Sequence, residues 1–251
     1  MPAADGVEVC TTAARTLGRY LVVPAESGEP APLLVGFHGY GESAERHLEA
    51  LLAIPGVRRW RVASVQALNR FYERRTGTVV GCWMTSQDRD QAIADNVAYV
   101  RTVVSELGAP SGGPLVFAGF SQGVAMAYRA ALGSEHRCDG LVILAGDVPP
   151  ELRGVPPDRW PPILLGGGLR DAWYTEDKRT ADVAFLRSRG IEHETAFFDG
   201  GHDWHPDFRA AAGRFLERIR SLMPPRDDPA GPSNDSVGRG FSPADRPPWR
   251  A

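Results

Sequence analysis

Short apolar runs alternate along this chain with stripes that repeat every three or four residues. Leu33-Leu34-Val35-Gly36-Phe37, Val62-Ala63-Ser64-Val65, Leu115-Val116-Phe117-Ala118, Leu141-Val142-Ile143-Leu144 and Ile163-Leu164-Leu165 are continuous apolar runs bounded by Gly or Pro. None alternates polar with apolar, so these runs predict strands covered on both faces, as in a mostly parallel sheet. Between them, Ile93, Val97, Val100, Val104 and Leu107 form one helical stripe that stops at Gly108. Ala181, Ala184, Phe185 and Leu186 form a second, ahead of Gly190. Phe208, Ala211, Ala212, Phe215, Ile219 and Leu222 form a third, opened by Pro206. Strand and helix in alternation predict an α/β domain, a mostly parallel central sheet with helices on both faces. Val7 to Val23 reads as extended chain, a candidate hairpin on the sheet edge.

The pattern changes at Pro224. Seven of the last 28 residues are Pro, and Asp, Arg, Gly and Ser fill most of the rest. Such a segment cannot bury enough apolar surface to offset the entropy of ordering. The expected organisation is one domain over residues 1–223 and a flexible tail over 224–251, with Phe241 and Trp249 as the tail's aromatics.

Composition narrows the function classes. Of 251 residues, 43% are hydrophobic, enough for a sizeable core. The 28 basic and 31 acidic side chains leave a net charge of −3, which gives no basic patch for nucleic acid or for an anionic membrane. No apolar stretch approaches 18 residues, and no basic-then-apolar leader opens the chain, so neither membrane insertion nor secretion is expected. Cys10, Cys82 and Cys138 are far apart and odd in number, the usage of reduced thiols in a cytoplasmic protein, although one bridge with a spare thiol stays open. A homodimer stays open as well.

The chemistry concentrates at Gly119-Phe120-Ser121-Gln122-Gly123, a G-x-S-x-G pattern. It follows the apolar run 115–118 and precedes a run of helix formers from Val124 to Leu132. Strand, sharp turn and helix are what a nucleophile elbow requires, with glycines where strand and helix nearly touch. The serine then sits at a helix N-terminus, which favours developing negative charge. A serine hydroxyl needs a base, and the base needs an orienting acid. In this architecture the order is Ser, then acid, then His. His202 follows a short strand and the Gly200-Gly201 pair, and is the candidate base. His205, beside Pro206, is its competitor. Asp171 follows the run 163–165 and is the candidate acid, with Asp147 the alternative. Glu176 and Asp177 read as first-turn helix residues. His38-Gly39-Tyr40-Gly41 follows the first buried run. The Tyr40 and Gln122 N–H groups are the candidate oxyanion hole, and His38 a residue that bonds the loop.

At these residues the chain resembles the α/β-hydrolase superfamily. More narrowly, it resembles the phospholipase/carboxylesterase group that includes acyl-protein thioesterases. The resemblance runs from about residue 31 to residue 222. It rests on His38 to Gly41, the elbow with Gln122 after the serine, Gly168 to Asp171, Gly201-His202, and Trp83 between loop and elbow. Glu42 stands where the group often has an acidic residue after its HGxG loop. The proline usual in the segment matching Val65-Gln66-Ala67-Leu68 is absent. The resemblance implies the α/β-hydrolase fold and a serine hydrolase that uses no metal or cofactor. It would cleave a small ester or thioester through an acyl-enzyme, with Ser121, Asp171 and His202 catalytic. Asn69 to Trp83 would overhang the site, and Tyr40, Trp83, Phe120 and Trp173 are candidate pocket walls or core residues.

Two rival readings keep the scaffold: a peptidase or polyester depolymerase, and a non-catalytic binding protein. His202-x-x-His205 with Asp203 suggests a metal only weakly, because no H-E-x-x-H occurs. There is also no G-x-G-x-x-G after the first strand and no P-loop.

Overall fold

The computed structural model describes residues 7–28, 31–108, 113–133 and 136–222. The Pro-rich segment 224–251, with Phe241 and Trp249, lies outside the described residues. Residues 7–18 carry no regular secondary structure, and only Arg19–Val23 (β1) forms a strand there, so the expected edge hairpin reduces to one strand. It pairs antiparallel with β3 (Arg61–Gln66), because the chain enters the sheet edge opposite to every later strand.

The buried runs become the other strands. Beside β3 lie β2 (Leu33–Phe37), β6 (Leu115–Phe120), β7 (Gly140–Leu144), β8 (Ile163–Gly168) and β9 (His193–Phe198). The seven-stranded order is β1-β3-β2-β6-β7-β8-β9, and every pair after the first is parallel. A separate two-stranded ribbon, β4 (Asn69–Tyr72) with β5 (Val79–Cys82), fills the long segment before Trp83.

Side chains of each strand alternate between two cores, as the pleat requires. Leu33, Val35, Phe37, Leu115, Phe117, Leu141 and Ile143 face α2 (Arg89–Glu106), α3 (Gln122–Gly133) and α4 (Glu176–Ser188). Leu34, Val116, Ala118, Val142, Leu144 and Leu164 face α1 (Ala44–Leu52) and α5 (Pro206–Leu222). Both faces are therefore covered, which is why the strands read as unbroken apolar runs. No helix among the described residues is long and apolar enough to cross a membrane. Cys10, Cys82 and Cys138 are all free thiols.

Two buried histidines shape the α1 face and the loop above β2. Ser43 caps α1 by accepting the Arg46 N–H at 3.3 Å. One turn on, His47 is buried against the sheet, where a Cβ on Gly36 would come within 2.8 Å of its ring. His38 is also buried. Its Nδ1 lies 2.7 Å from the Gly39 carbonyl, and its Nε2 accepts the Ala67 N–H at 3.0 Å. That pattern assigns the proton to Nδ1 and the lone pair to Nε2. Burial lowers the pKa of His38 to about 4 and that of His47 to about 3.

The glycines of the elbow lie where α3 crosses the sheet. A Cβ on Gly123 would sit 2.0 Å from the Phe37 carbonyl oxygen, and one on Gly119 would sit 2.6 Å from the Gly123 carbonyl oxygen. Both obstacles are backbone, so neither can swing aside.

These contacts lead to two expectations. Gly123→Ala should cost about 3 kcal/mol or more in urea unfolding, as overpacking against an immovable neighbour; a variant as stable as wild type would show that the crossing is loose. The histidines should make the fold acid-sensitive. Both have folded pKa values below the unfolded value of about 6.5, so the unfolded chain binds the extra protons as pH falls below that point. Each should therefore remove about 2–3 kcal/mol between pH 7 and pH 4.5. In His47→Leu that acid loss should shrink by about the same amount, and an unchanged slope would contradict the assignment.

Candidate active site

Parallel strands put their C-terminal ends on one edge of the sheet, and the residues singled out above lie on the loops that leave it. Ser121 follows β6, Asp171 follows β8, His202 follows β9, and the loop from His38 to Gly41 follows β2. Ser121 occupies the left-handed region, with φ +54. A serine rarely rests there, and its N–H is held by the Leu144 carbonyl at 2.9 Å. The turn lifts Oγ off the sheet and begins α3 at the next residue.

The structure brings Ser121, His202 and Asp171 into one line. His202 Nε2 lies 2.8 Å from Ser121 Oγ, and His202 Nδ1 lies 2.7 Å from Asp171 Oδ2. The second oxygen of Asp171 accepts the Trp173 N–H at 2.7 Å and the Tyr174 N–H at 3.0 Å. The Asp171 side chain is wholly buried, whereas that of His202 is 23% exposed, so the imidazole is open to the cleft while the carboxylate is closed off from water. Burial opposes the charge on Asp171, but the Tyr174 and Trp173 N–H groups and His202 outweigh it and hold the carboxyl below its ordinary range. An ionised acceptor fixes the Nδ1–H tautomer of His202 and leaves Nε2 to take a proton.

The loops that carry Asp171 and His202 are packed together. A Cβ on Gly168 would lie 2.1 Å from the Gly201 carbonyl oxygen, so the two loops touch only because that position is bare. Arg179, buried on α4, donates to the Gly168 carbonyl at 2.8 Å and the Tyr174 carbonyl at 2.7 Å. It thus braces both ends of the turn that carries Asp171.

Across the cleft, the loop after β2 has most of its N–H groups committed. Gly39 N–H donates to Glu42 Oε2 at 2.9 Å, and Gly41 N–H donates to the Gly81 carbonyl of β5 at 3.0 Å. That leaves the Tyr40 N–H, among the described residues, without a protein acceptor. Gln122 is the first residue of α3, so its N–H has no intrahelical partner either. Its side chain is fully used: Oε1 accepts the Trp83 N–H at 2.8 Å, and Nε2 donates to the Met84 carbonyl at 3.1 Å.

The other residues singled out in the sequence separate into those on the cleft and those off it. Phe120 lines the cleft and lies 5.0 Å from the His202 ring; Tyr40 lines its opposite rim, 65% exposed, against Phe71. Trp83 is completely buried, donates Nε1–H to the His38 carbonyl and packs on Phe37, so it supports the loop instead of walling the cleft. Trp173 is 75% exposed beside the Asp171 turn and is not among the cleft-lining residues. The alternatives lie elsewhere. Asp147 faces Lys178 at 3.6 Å, and His205 stacks on Phe198 with Nδ1 toward Asp207. No group of three or more His, Cys, Asp or Glu among the described residues could hold a metal ion.

Sequence reasoning missed Arg179, and it missed His47, Trp204 and Arg209, which line the same cleft of about 630 Å³ as Ser121. No local pattern marks them, because they meet Ser121 only through the fold.

No protein-family model matches this chain, and no curated protein matches it in sequence. Solved structures do match. Esterase PE8 superposes with a TM-score of 0.65 at 21% identity, over 81% of this chain and 100% of its own. Zea mays acyl-protein thioesterase 2 gives 0.64 at 20%, over 81% and 99%. The Bacillus cereus carboxylesterase gives 0.62 at 14%, over 81% and 95%. The sheet order, the helices on both faces and these superpositions together establish that the chain has the α/β-hydrolase fold.

Proposed function

We propose that this protein is a serine hydrolase that cleaves carboxylic esters or thioesters through an acyl-enzyme. The observation that carries the reading is the continuous hydrogen-bonded line from Ser121 Oγ through both nitrogens of His202 to a buried, ionised Asp171. A binding protein has no use for a serine held in a strained turn against a base and an oriented acid. Likeness to esterases and a thioesterase supports the choice of bond.

In this reading Ser121 Oγ attacks the carbonyl carbon while its proton passes to His202 Nε2. The imidazolium that forms keeps its Nδ1–H on Asp171, which stays ionised. Negative charge gathers on the former carbonyl oxygen, which in this reading accepts the uncommitted Tyr40 and Gln122 N–H groups while the N-terminal end of α3 adds its dipole. Collapse breaks the bond to the leaving alcohol or thiol, which takes the proton from His202. Water then attacks the acyl-serine and gives a proton to the same nitrogen; collapse breaks the bond to Ser121 Oγ, which takes that proton back from His202 as the acid leaves. Phe120, 5.0 Å from the His202 ring, covers one face of the imidazole and leaves Nε2 open to the leaving group and then to water.

A fluorophosphonate probe read by intact mass should add once to wild type and not at all to Ser121→Ala. Absence of an adduct on well-folded wild type would overturn the reading in favour of a non-catalytic binding protein. Asp171→Asn should lower kcat on a short-chain ester by about 10³ to 10⁴ with little change in KM, since it removes the charge that holds the tautomer; a variant within tenfold of wild type would show that Asp171 is not the acid.

A further inference from the structure

The cleft that holds Ser121 also holds a set of donors that the reaction above does not use. Four of the buried side-chain nitrogen and oxygen atoms that lack a protein partner, among the described residues, belong to three residues of this cleft: both ring nitrogens of His47, Nε1 of Trp204 and Nε of Arg209. They come from α1, the loop after His202 and the first turn of α5. The Trp204 ring ties them together, lying 5.8 Å from His47, 5.8 Å from Phe208 and 6.2 Å from Phe120, the neighbour of Ser121. A buried N–H without an acceptor costs free energy, so such a concentration marks a place where an acceptor is to come from outside.

The charges of the cleft say which acceptor. Arg209 forms no ion pair among the described residues. The other cation, Arg46, faces Glu42 at 3.6 Å, and Glu42 is also held by the Gly39 N–H. Glu49 and Asp203 are exposed at the rim, where water and salt screen them. The cation left to meet a ligand in the cleft is therefore Arg209, and Trp204 and His47, which line the same cleft, add the unpartnered indole N–H and one N–H of a neutral imidazole. Three donors with one positive charge match an acceptor-only, anionic group.

We propose that the ester cleaved at Ser121 carries a carboxylate, and that Arg209 binds it in the cleft between α1 and α5. This rests on the hydrolase reading above and adds a substrate class to it. Arg209 becomes the specificity residue, with Trp204 and His47 completing the anion's hydrogen bonds.

The test compares isosteric esters that differ in charge, followed by pH-stat at constant ionic strength. Ethyl hydrogen succinate places the carboxylate on the acyl side, and 3-acetoxypropanoate places it on the alcohol side; the corresponding primary amides are the neutral partners. Wild type should prefer one charged ester over its amide by tenfold or more in kcat/KM, mainly through KM. Arg209→Gln should lower that ratio at least tenfold, and Arg209→Lys should restore part of it. The ester that shows the preference tells which half of the substrate lies under Arg209. Equal ratios in wild type and Arg209→Gln, with Ser121-dependent turnover of the neutral esters intact, would overturn the anion site and leave the hydrolase reading standing. If wild type turns over none of the four, the fluorophosphonate adduct at Ser121 decides the hydrolase reading by itself. Calorimetric titration of Ser121→Ala with the same esters then decides the site: charged-ester binding lost on adding Arg209→Gln supports it, and binding indifferent to charge or to Arg209 overturns it.

Discussion

The rest of this site depends on one strained residue. Ser121 sits at φ +54 in a turn that a non-glycine residue enters only at a cost of about 1–3 kcal/mol. The turn is held from three sides. The Leu144 carbonyl takes its N–H, Gly146 is bare where a Cβ would meet its carbonyl, and Gly123 lets α3 press on the Phe37 backbone. Relaxing the turn would move Oγ out of reach of His202 and swing the first N–H of α3 away from the cleft. The core is therefore built around this crossing, with β6 at the middle of the seven-stranded sheet and buried along its whole length.

Around that fixed point the sheet acts as a ruler. The loops after β2, β6, β8 and β9 all leave the same edge, so residues 38–41, 121, 171 and 202 converge although they are far apart in sequence. Each loop is locked by bonds that leave a chosen group unbonded. Glu42 and Gly81 engage the neighbours of Tyr40, Arg179 braces the Asp171 turn, and Gln122 clamps the chain at Trp83 and Met84. Preorganisation of this kind is what lets dipoles act on a developing charge without rearranging.

Much of this was legible in the sequence because burial on both faces writes itself as unbroken apolar runs. All five expected strands formed, and the helical stripes ending at Gly108 and Gly190 stop where those residues take positive φ. The residues expected to meet at the elbow lie within hydrogen-bond distance of one another. What was not legible follows from contacts that local pattern cannot carry. Helix α1 went unread because His47 fills a core position where an apolar residue would have shown the period. The segment before Trp83 gave no strand pattern because every residue of β4, the first strand of the ribbon, is exposed. For Trp83 the sequence left pocket wall and core residue open, and only the fold shows it buried, with its indole N–H tied to the loop after β2. Arg209 carried no signal at all, since its meaning depends on what α1 and the His202 loop place opposite it.

In the proposed reaction the Tyr40 and Gln122 N–H groups and His202 already stand in their working positions before substrate arrives. The most direct measurement is a crystal structure of the protein phosphonylated at Ser121. The account predicts that the phosphoryl oxygen accepts the Tyr40 and Gln122 N–H groups at 2.7–3.1 Å, the usual range for such donors, with the backbone around both unchanged. A phosphoryl oxygen turned toward solvent, or a loop after β2 that has to rebuild to reach it, would contradict the account.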